Sequence, residues 1–205
     1  MKHPAHLLRE GGGALIELAL VLPVLAFLTF VVVDLSRAIQ MNNVLINVTR
    51  EGASLMSRSV DSPEFAQYVM NALGDTAMPT YQDAGQSGLY FEQRSAMLVT
   101  RIQGRLNAVT RNVDATVTEQ YRWNRGGITP VSHLWSCGGN WKSDGSCTMP
   151  VPAPVAVLPV PIADGDVIYA VEAFNSYQAM FAGVGFGMGT RVPAVTPGLY
   201  AVTMF

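Results

Sequence analysis

GGGALIELALVLPVLAFLTFVVV, residues 11–33, is the stretch whose reading decides the architecture. Its last 20 residues, Ala14 to Val33, carry a single charge, Glu17. At about 1.5 Å of rise per residue, such a helix spans about 30 Å, the thickness of a bilayer core. The alternative of a buried core helix rarely stays this apolar on all sides for so long. A cleaved signal peptide has a shorter apolar region of about 7–15 residues, closed by a small-x-small site. This run closes instead on Val33-Asp34-Leu35-Ser36-Arg37. The run reads as a retained membrane anchor.

The rest of the chain fits that reading. Its 205 residues hold an anchor and one further domain. Charged residues make up 14%, against about 25% in an ordinary soluble protein. The 13 Lys and Arg form no stripe and the net charge is −2, which argues against a nucleic-acid partner. Lys2, His3, His6 and Arg9 precede the run against one acid, Glu10, while Asp34, Arg37, Arg50 and Glu51 follow it. The positive-inside rule then places the N-terminus in the cytoplasm and the bulk outside.

Glu17 is the anomaly. An acid at mid-bilayer costs about 2.5–3.5 kcal/mol on insertion scales, and less near the end of a span. The helix dipole favours an acid near an N-terminus, but helix-end geometry alone does not ask for one there. An intramembrane acid points to a positively charged partner. Pro23, mid-run, removes one backbone hydrogen bond and predicts a kink or local loosening.

Gly11-Gly12-Gly13 followed by Ala14-Leu15-Ile16-Glu17-Leu18-Ala19-Leu20-Val21-Leu22-Pro23 resembles the processing region of type IV pilin-like proteins. The string is closer still to the TadE/TadF-like pseudopilins of the tight-adherence (Flp-type) pilus system. Asp34-Leu35-Ser36-Arg37-Ala38 and Thr49-Arg50-Glu51-Gly52-Ala53 resemble that family too. The likeness covers about the first 55 residues. It implies a leader over residues 1–12, cut by a prepilin peptidase between Gly12 and Gly13, with Glu17 fifth in the mature chain. Cutting after Gly11 or Gly13 would make Glu17 sixth or fourth. The new amine on one subunit can pair with Glu17 of another, offsetting the cost of both buried charges. The implied partners are the peptidase, other pilin or pseudopilin subunits and an inner-membrane assembly platform. The implied place is the inner membrane, single-pass, with the bulk periplasmic or carried into a pilus.

Beyond the span, the sequence predicts one helix over residues 13–60 and an extracytoplasmic domain over 61–205. Leu35, Ala38, Ile39, Leu45, Ile46, Ala53 and Met56 recur at helical spacing. That stripe suits packing on the chain's own domain, or on other subunits, or both along different faces. Asp61-Ser62-Pro63-Glu64 is a helix start, with Ser62 as N-cap, and the helix is expected to run to Leu73 and stop at Gly74. A Gly/Gln/Asp-rich loop follows, to about Leu89. Strands are expected over Ala96 to Gln103, Asp114 to Trp123 and, centrally, Asp166 to Tyr177. The segment from Gly198 to Phe205 is apolar enough to dock on the body. The fold class is α+β, pilin-like, with a small antiparallel sheet against the long helix.

Cys137 and Cys147 bracket a Gly/Ser/Asp-rich loop that can close. A disulfide is the first reading, worth about 2–3 kcal/mol in so short a loop. Free thiols, which need a reducing compartment, come second. A metal comes third, because His133 is the only nearby histidine and the spacing fits no zinc template. Trp135 and Trp141 either pack or touch a partner, and Pro150, Pro152, Pro154, Pro159 and Pro161 favour polyproline II. Gly183-Val184-Gly185-Phe186-Gly187-Met188-Gly189 fails the dinucleotide pattern at Met188 and lacks a P-loop Lys. No catalytic set is visible, so neither an enzyme nor a cofactor is expected. The resemblance implies a minor pilin or pseudopilin. The alternative is a membrane-tethered periplasmic binding module with an uncut anchor.

Overall fold

In the computed structural model the described residues are 11–58, 62–77, 91–148, 153–155, 161–179, 185–186, 190–191 and 198–205. Residues 1–10 of the expected leader, the loop to Leu89, Asp61, Pro150, Pro152, Pro159 and most of the 183–189 glycine stretch lie outside them. The chain divides into two units, Met1–Ile39 with Ala179–Val195, and Gln40–Gln178 with Thr196–Phe205.

Helix α1 runs over Gly11–Met56. The three glycines therefore form its first turn and do not precede it. The helix continues through Pro23, whose missing N–H leaves the Ala19 carbonyl without its intrahelical donor. In the first unit its apolar residues are open, and an 18-residue window of mean hydropathy 2.7 has none of its length buried. A two-residue ladder of β5, Gly185–Phe186, and β6, Thr190–Arg191, also belongs to this unit.

In the second unit the rest of α1 turns a helical stripe inward. Met41, Leu45, Val48, Thr49, Gly52, Ala53 and Met56 are buried. They recur every three or four residues, as one helical face requires. The expected stripe thus divides: Leu45, Ala53 and Met56 pack inward, whereas Leu35, Ile39 and Ile46 are exposed. The seam combines large residues, Met41, Leu45 and Met56, with small and β-branched ones, Val48, Thr49, Gly52 and Ala53. A β-carbon at Gly52 would stand 3.0 Å from Leu73 and 3.3 Å from Val171, so glycine there sets how closely α1 approaches its neighbours.

Helix α2, Pro63–Ala77, starts as expected, with the Ser62 hydroxyl accepting from the Phe65 N–H at 3.1 Å. It does not stop at Gly74. That glycine is buried inside the helix beneath the Trp123 indole, which a β-carbon would meet at 2.5 Å. The Trp123 Nε1 donates to Asn71 on the same helix at 2.8 Å. Gly74→Ala removes the intrinsic cost of glycine, about 1 kcal/mol, yet forces a methyl into the ring. We expect a net loss of about 1–3 kcal/mol, read by thermal unfolding of the detergent-solubilised chain.

A short helix α3, Phe91–Arg94, leads into the sheet. Its strands are β1 (Ser95–Leu106), β2 (Val113–Arg122), β3 (Ala153–Pro154), β4 (Val167–Ser176) and β7 (Gly198–Met204), in the order β3-β2-β1-β4-β7. Each paired neighbour is antiparallel. The three expected strands are present within one to three residues of their predicted ends, and β4 is central. The C-terminal segment does more than dock: it is a full strand on β4. Pro154 sits in an edge strand, where a missing N–H costs no ladder bond.

The two faces of the sheet bury different things. Val171 lies against Gly52 of α1, and Thr203 of β7 shares a 3.0 Å hydrogen bond with Thr49 of α1. The other face gathers Ile102, Val117 and Ala170 under Leu134, with Trp135, Ile162 and Met204 packed around them.

Candidate functional site

The first candidate surface is the apolar segment itself. Glu17 is exposed on α1 between Ile16 and Leu18, both open, and has no partner among the described residues. Gly13 has no side-chain or distant backbone atom within 4 Å of where a β-carbon would sit. Among the described residues nothing satisfies the Glu17 carboxylate.

A second surface lies where α1 passes over the sheet. A groove of about 520 Å³ is lined by Asn47, Arg50, Glu51, Ser54, Leu55 and Phe205. A smaller one, of about 180 Å³, lies on the α2 side and shares Asn47 and Glu51. Arg50 and Glu51 are exposed and make no ion pair or hydrogen bond among the described residues. The Arg50-Glu51-Gly52-Ala53 motif thus splits in function: Gly52 and Ala53 face the sheet, and the two charges face away.

The cysteines form a bridge, with Cα atoms 6.0 Å apart. Its closed loop lies along β2. The Arg122 N–H donates to the Gly145 carbonyl and the Cys147 N–H to the Gln120 carbonyl, both at 2.8 Å. Farther along the same strand, β3 pairs with Thr116 and Val117. Loop and strand together occupy backbone groups that an edge strand otherwise offers to any passing chain. The Arg122 guanidinium lies 5.2 Å from the Trp141 ring centroid, and Trp135 packs on the Ile102 cluster. Both tryptophans are packing residues here. Cys137→Ser with Cys147→Ser is expected to cost about 2–3 kcal/mol and to raise hydrogen exchange at Arg122 and Cys147 first. Unchanged exchange there would show that the loop holds β2 without its bridge.

The buried residue that the sequence reading did not single out is Glu172. It lies mid-β4 with 0% exposure. Its carboxylate accepts from the Ser132 hydroxyl, from the His133 N–H at 2.9 Å and from the Tyr200 hydroxyl at 3.0 Å. Ser132 in turn accepts from the Leu134 and Trp135 N–H groups, both at 3.2 Å. One acid therefore ties a coil segment, a central strand and the last strand together. Burial, and then the neighbouring Glu172 charge, push the Tyr200 hydroxyl well above its ordinary value, which keeps it a donor. The His133 ring stacks on Tyr200, with centroids 4.3 Å apart. An acid within an apolar strand alternation was the one available sequence signal.

Chemistry is sparse elsewhere. Among the described residues no three His, Cys, Asp or Glu gather to hold a metal, and both cysteines are used in the bridge. Arg125 joins Asp75 at 3.0 Å and Glu92 at 2.8 Å, linking α2, α3 and the end of β2.

Comparison with known proteins places residues 12–54 in a TadE-like protein domain. That range takes in Gly12, Gly13, Glu17, Pro23, Arg50 and Glu51, and the family is associated with Tad pilus biogenesis. No curated protein and no solved structure matches the chain.

Proposed function

We propose that this TadE-like chain is a minor pilin or pseudopilin of a Tad pilus, processed by a prepilin peptidase and held in the inner membrane by α1 before assembly. The observation that carries the reading is the match over residues 12–54, which spans the glycine site, the intramembrane acid and the helix that follows. The long apolar helix supports an anchor, because none of its 18-residue apolar window is buried among the described residues. The exposed Glu17 supports pairing with another subunit's amine, because none of the described residues partners it. The disulfide supports an oxidising compartment for the head.

Intact-mass spectrometry of the membrane-purified chain tests this, with and without a co-expressed prepilin peptidase. Loss of residues 1–12 only when the peptidase is present is the expected result, with a further deficit of two hydrogens for the bridge. A full-length chain in both conditions would overturn the pilin reading and leave a membrane-tethered binding module.

A further inference from the structure

We infer that the open edge of β7 takes up an extended, uncharged segment of a different polypeptide as one more strand of the sheet. The inference goes beyond the pilin reading. Only the choice of a different polypeptide over a second copy rests on the membrane anchor.

Tyr169 and Phe205 exchange both of their backbone bonds, at 2.7 and 3.0 Å. In an antiparallel ladder such pairs alternate with pairs whose N–H and C=O groups point outward. The register therefore turns the backbone of Leu199, Ala201 and Thr203 toward β4, and that of Gly198, Tyr200, Val202 and Met204 away from it. β7 is the last strand of its sheet, and these outward groups bond to none of the described residues. Proteins blunt such an edge with charge, proline, a bulge or a covering segment. The opposite edge of this sheet is blunted, by β3 with its Pro154 and by the bridged loop. At β7 those devices are missing among the described residues. Gly198 to Phe205 contains neither a charge nor a proline, and its register with β4 runs without a shift.

The chemistry of the edge selects its occupant. Only another extended backbone presents alternating donors and acceptors at the spacing of these groups, so the ligand is a strand. A charged side chain laid on β7 would lose water and gain no partner there, so the strand is uncharged. Thr203 bonds α1 and therefore points to the helix side, and Phe205 follows it in the alternation. Phe205 and Leu55 line the groove of about 520 Å³, so helix-side side chains of an added strand enter that groove. Arg50 and Glu51 also line it, but they are opposite in sign and select no net charge. A second copy's β7 does not fit. Antiparallel pairing of equal strands needs a twofold axis normal to the sheet. The 40–56 part of α1 lies along the sheet, so that axis points it in opposite directions in the two copies. Two chains anchored through α1 in one membrane cannot adopt that arrangement.

The test uses the full chain in detergent, without peptidase, and a capped peptide of alternating Val and Thr long enough to span β7. Hydrogen exchange is read at single amides. The peptide is expected to slow Tyr200, Val202 and Met204 about tenfold or more, and to leave Ala201 and Thr203, already bonded to β4, as they were. A peptide with Glu in place of each Thr should have no effect. Val202→Pro removes the central outward N–H and no bond to β4, and should weaken peptide binding about tenfold. Val202→Ala keeps that N–H and should bind within about threefold of the unsubstituted chain. Slow exchange at Ala201 and Thr203 verifies the sheet in each variant. No slowing at saturating peptide, equal slowing by the Glu peptide, or unchanged affinity in Val202→Pro each overturns the inference. So does slow exchange at Tyr200, Val202 and Met204 before peptide is added. If dilution leaves it slow, the chain covers its own edge; if dilution speeds it, a second copy does. Because no peptidase is present, failure of processing and failure of strand uptake are separate results.

Discussion

Glu172→Ala is expected to lower the stability of the head by about 3–4 kcal/mol, the largest loss for any single side chain outside the apolar core. The alanine leaves the Ser132 hydroxyl, the His133 N–H and the Tyr200 hydroxyl buried without an acceptor. Each such orphan costs about 1–3 kcal/mol before relaxation, and water entering the gap recovers part of the sum. Against a typical stability of about 5–15 kcal/mol, the change removes much of the margin. A midpoint lower by about 10 °C is the corresponding thermal reading. Glu172→Gln keeps one carbonyl acceptor and the shape, and its amide can donate to Ser132, so its loss should be near 1–2 kcal/mol. The local signature is hydrogen exchange at His133, Leu134 and Trp135, which should rise in Glu172→Ala before β1 and β4 open. Equal losses for Ala and Gln would show that shape, not hydrogen bonding, fixes the 132–135 segment.

Glu17→Ala should act on assembly and leave the fold untouched. The substitution removes an acid from the span, so insertion becomes easier by up to about 2.5–3.5 kcal/mol. Membrane content and the processed mass are expected to match the unsubstituted chain. Pilus yield should collapse, because the amine of the neighbouring subunit then enters an apolar environment uncompensated. Removing one partner of a buried pair costs about 3–5 kcal/mol, more than a hundredfold in subunit association. Glu17→Gln should fail nearly as badly, since the missing feature is charge. Counting pili by electron microscopy, beside the mass measurement, separates assembly from processing. Normal piliation in Glu17→Ala would remove the pairing role while leaving the anchor reading intact.

Much of this protein was legible in its sequence because the signals are one-dimensional. A span needs only length and unbroken apolarity, which Ala14 to Val33 provide without reference to anything else. The N-cap at Ser62 and the alternation of the strands are likewise local, and the structure places them close to their predicted ends. The two cysteines were close enough in sequence for a bridge to be the first reading, and the structure forms it.

What tertiary structure alone decided depends on which side chain meets which. Gly74 carries the usual mark of a helix end, yet the helix continues, because the glycine is required by Trp123, 49 residues away, and not by the backbone. The stripe on α1 could not be divided into inward and outward residues by spacing. Ile46 and Leu45 are equally apolar neighbours, and only the docking of β4 and β7 against Gly52 and Thr49 chooses between them. Glu172 is an ordinary acid in the sequence. It becomes the joint of the head because folding brings Ser132, His133 and Tyr200 to it from segments 40, 39 and 28 residues away. Sequence determined the long apolar helix, the class of fold and the acid within the apolar run, since each depends on neighbours along the chain. The seam and the buried acid were decided by three-dimensional proximity, which no local pattern encodes.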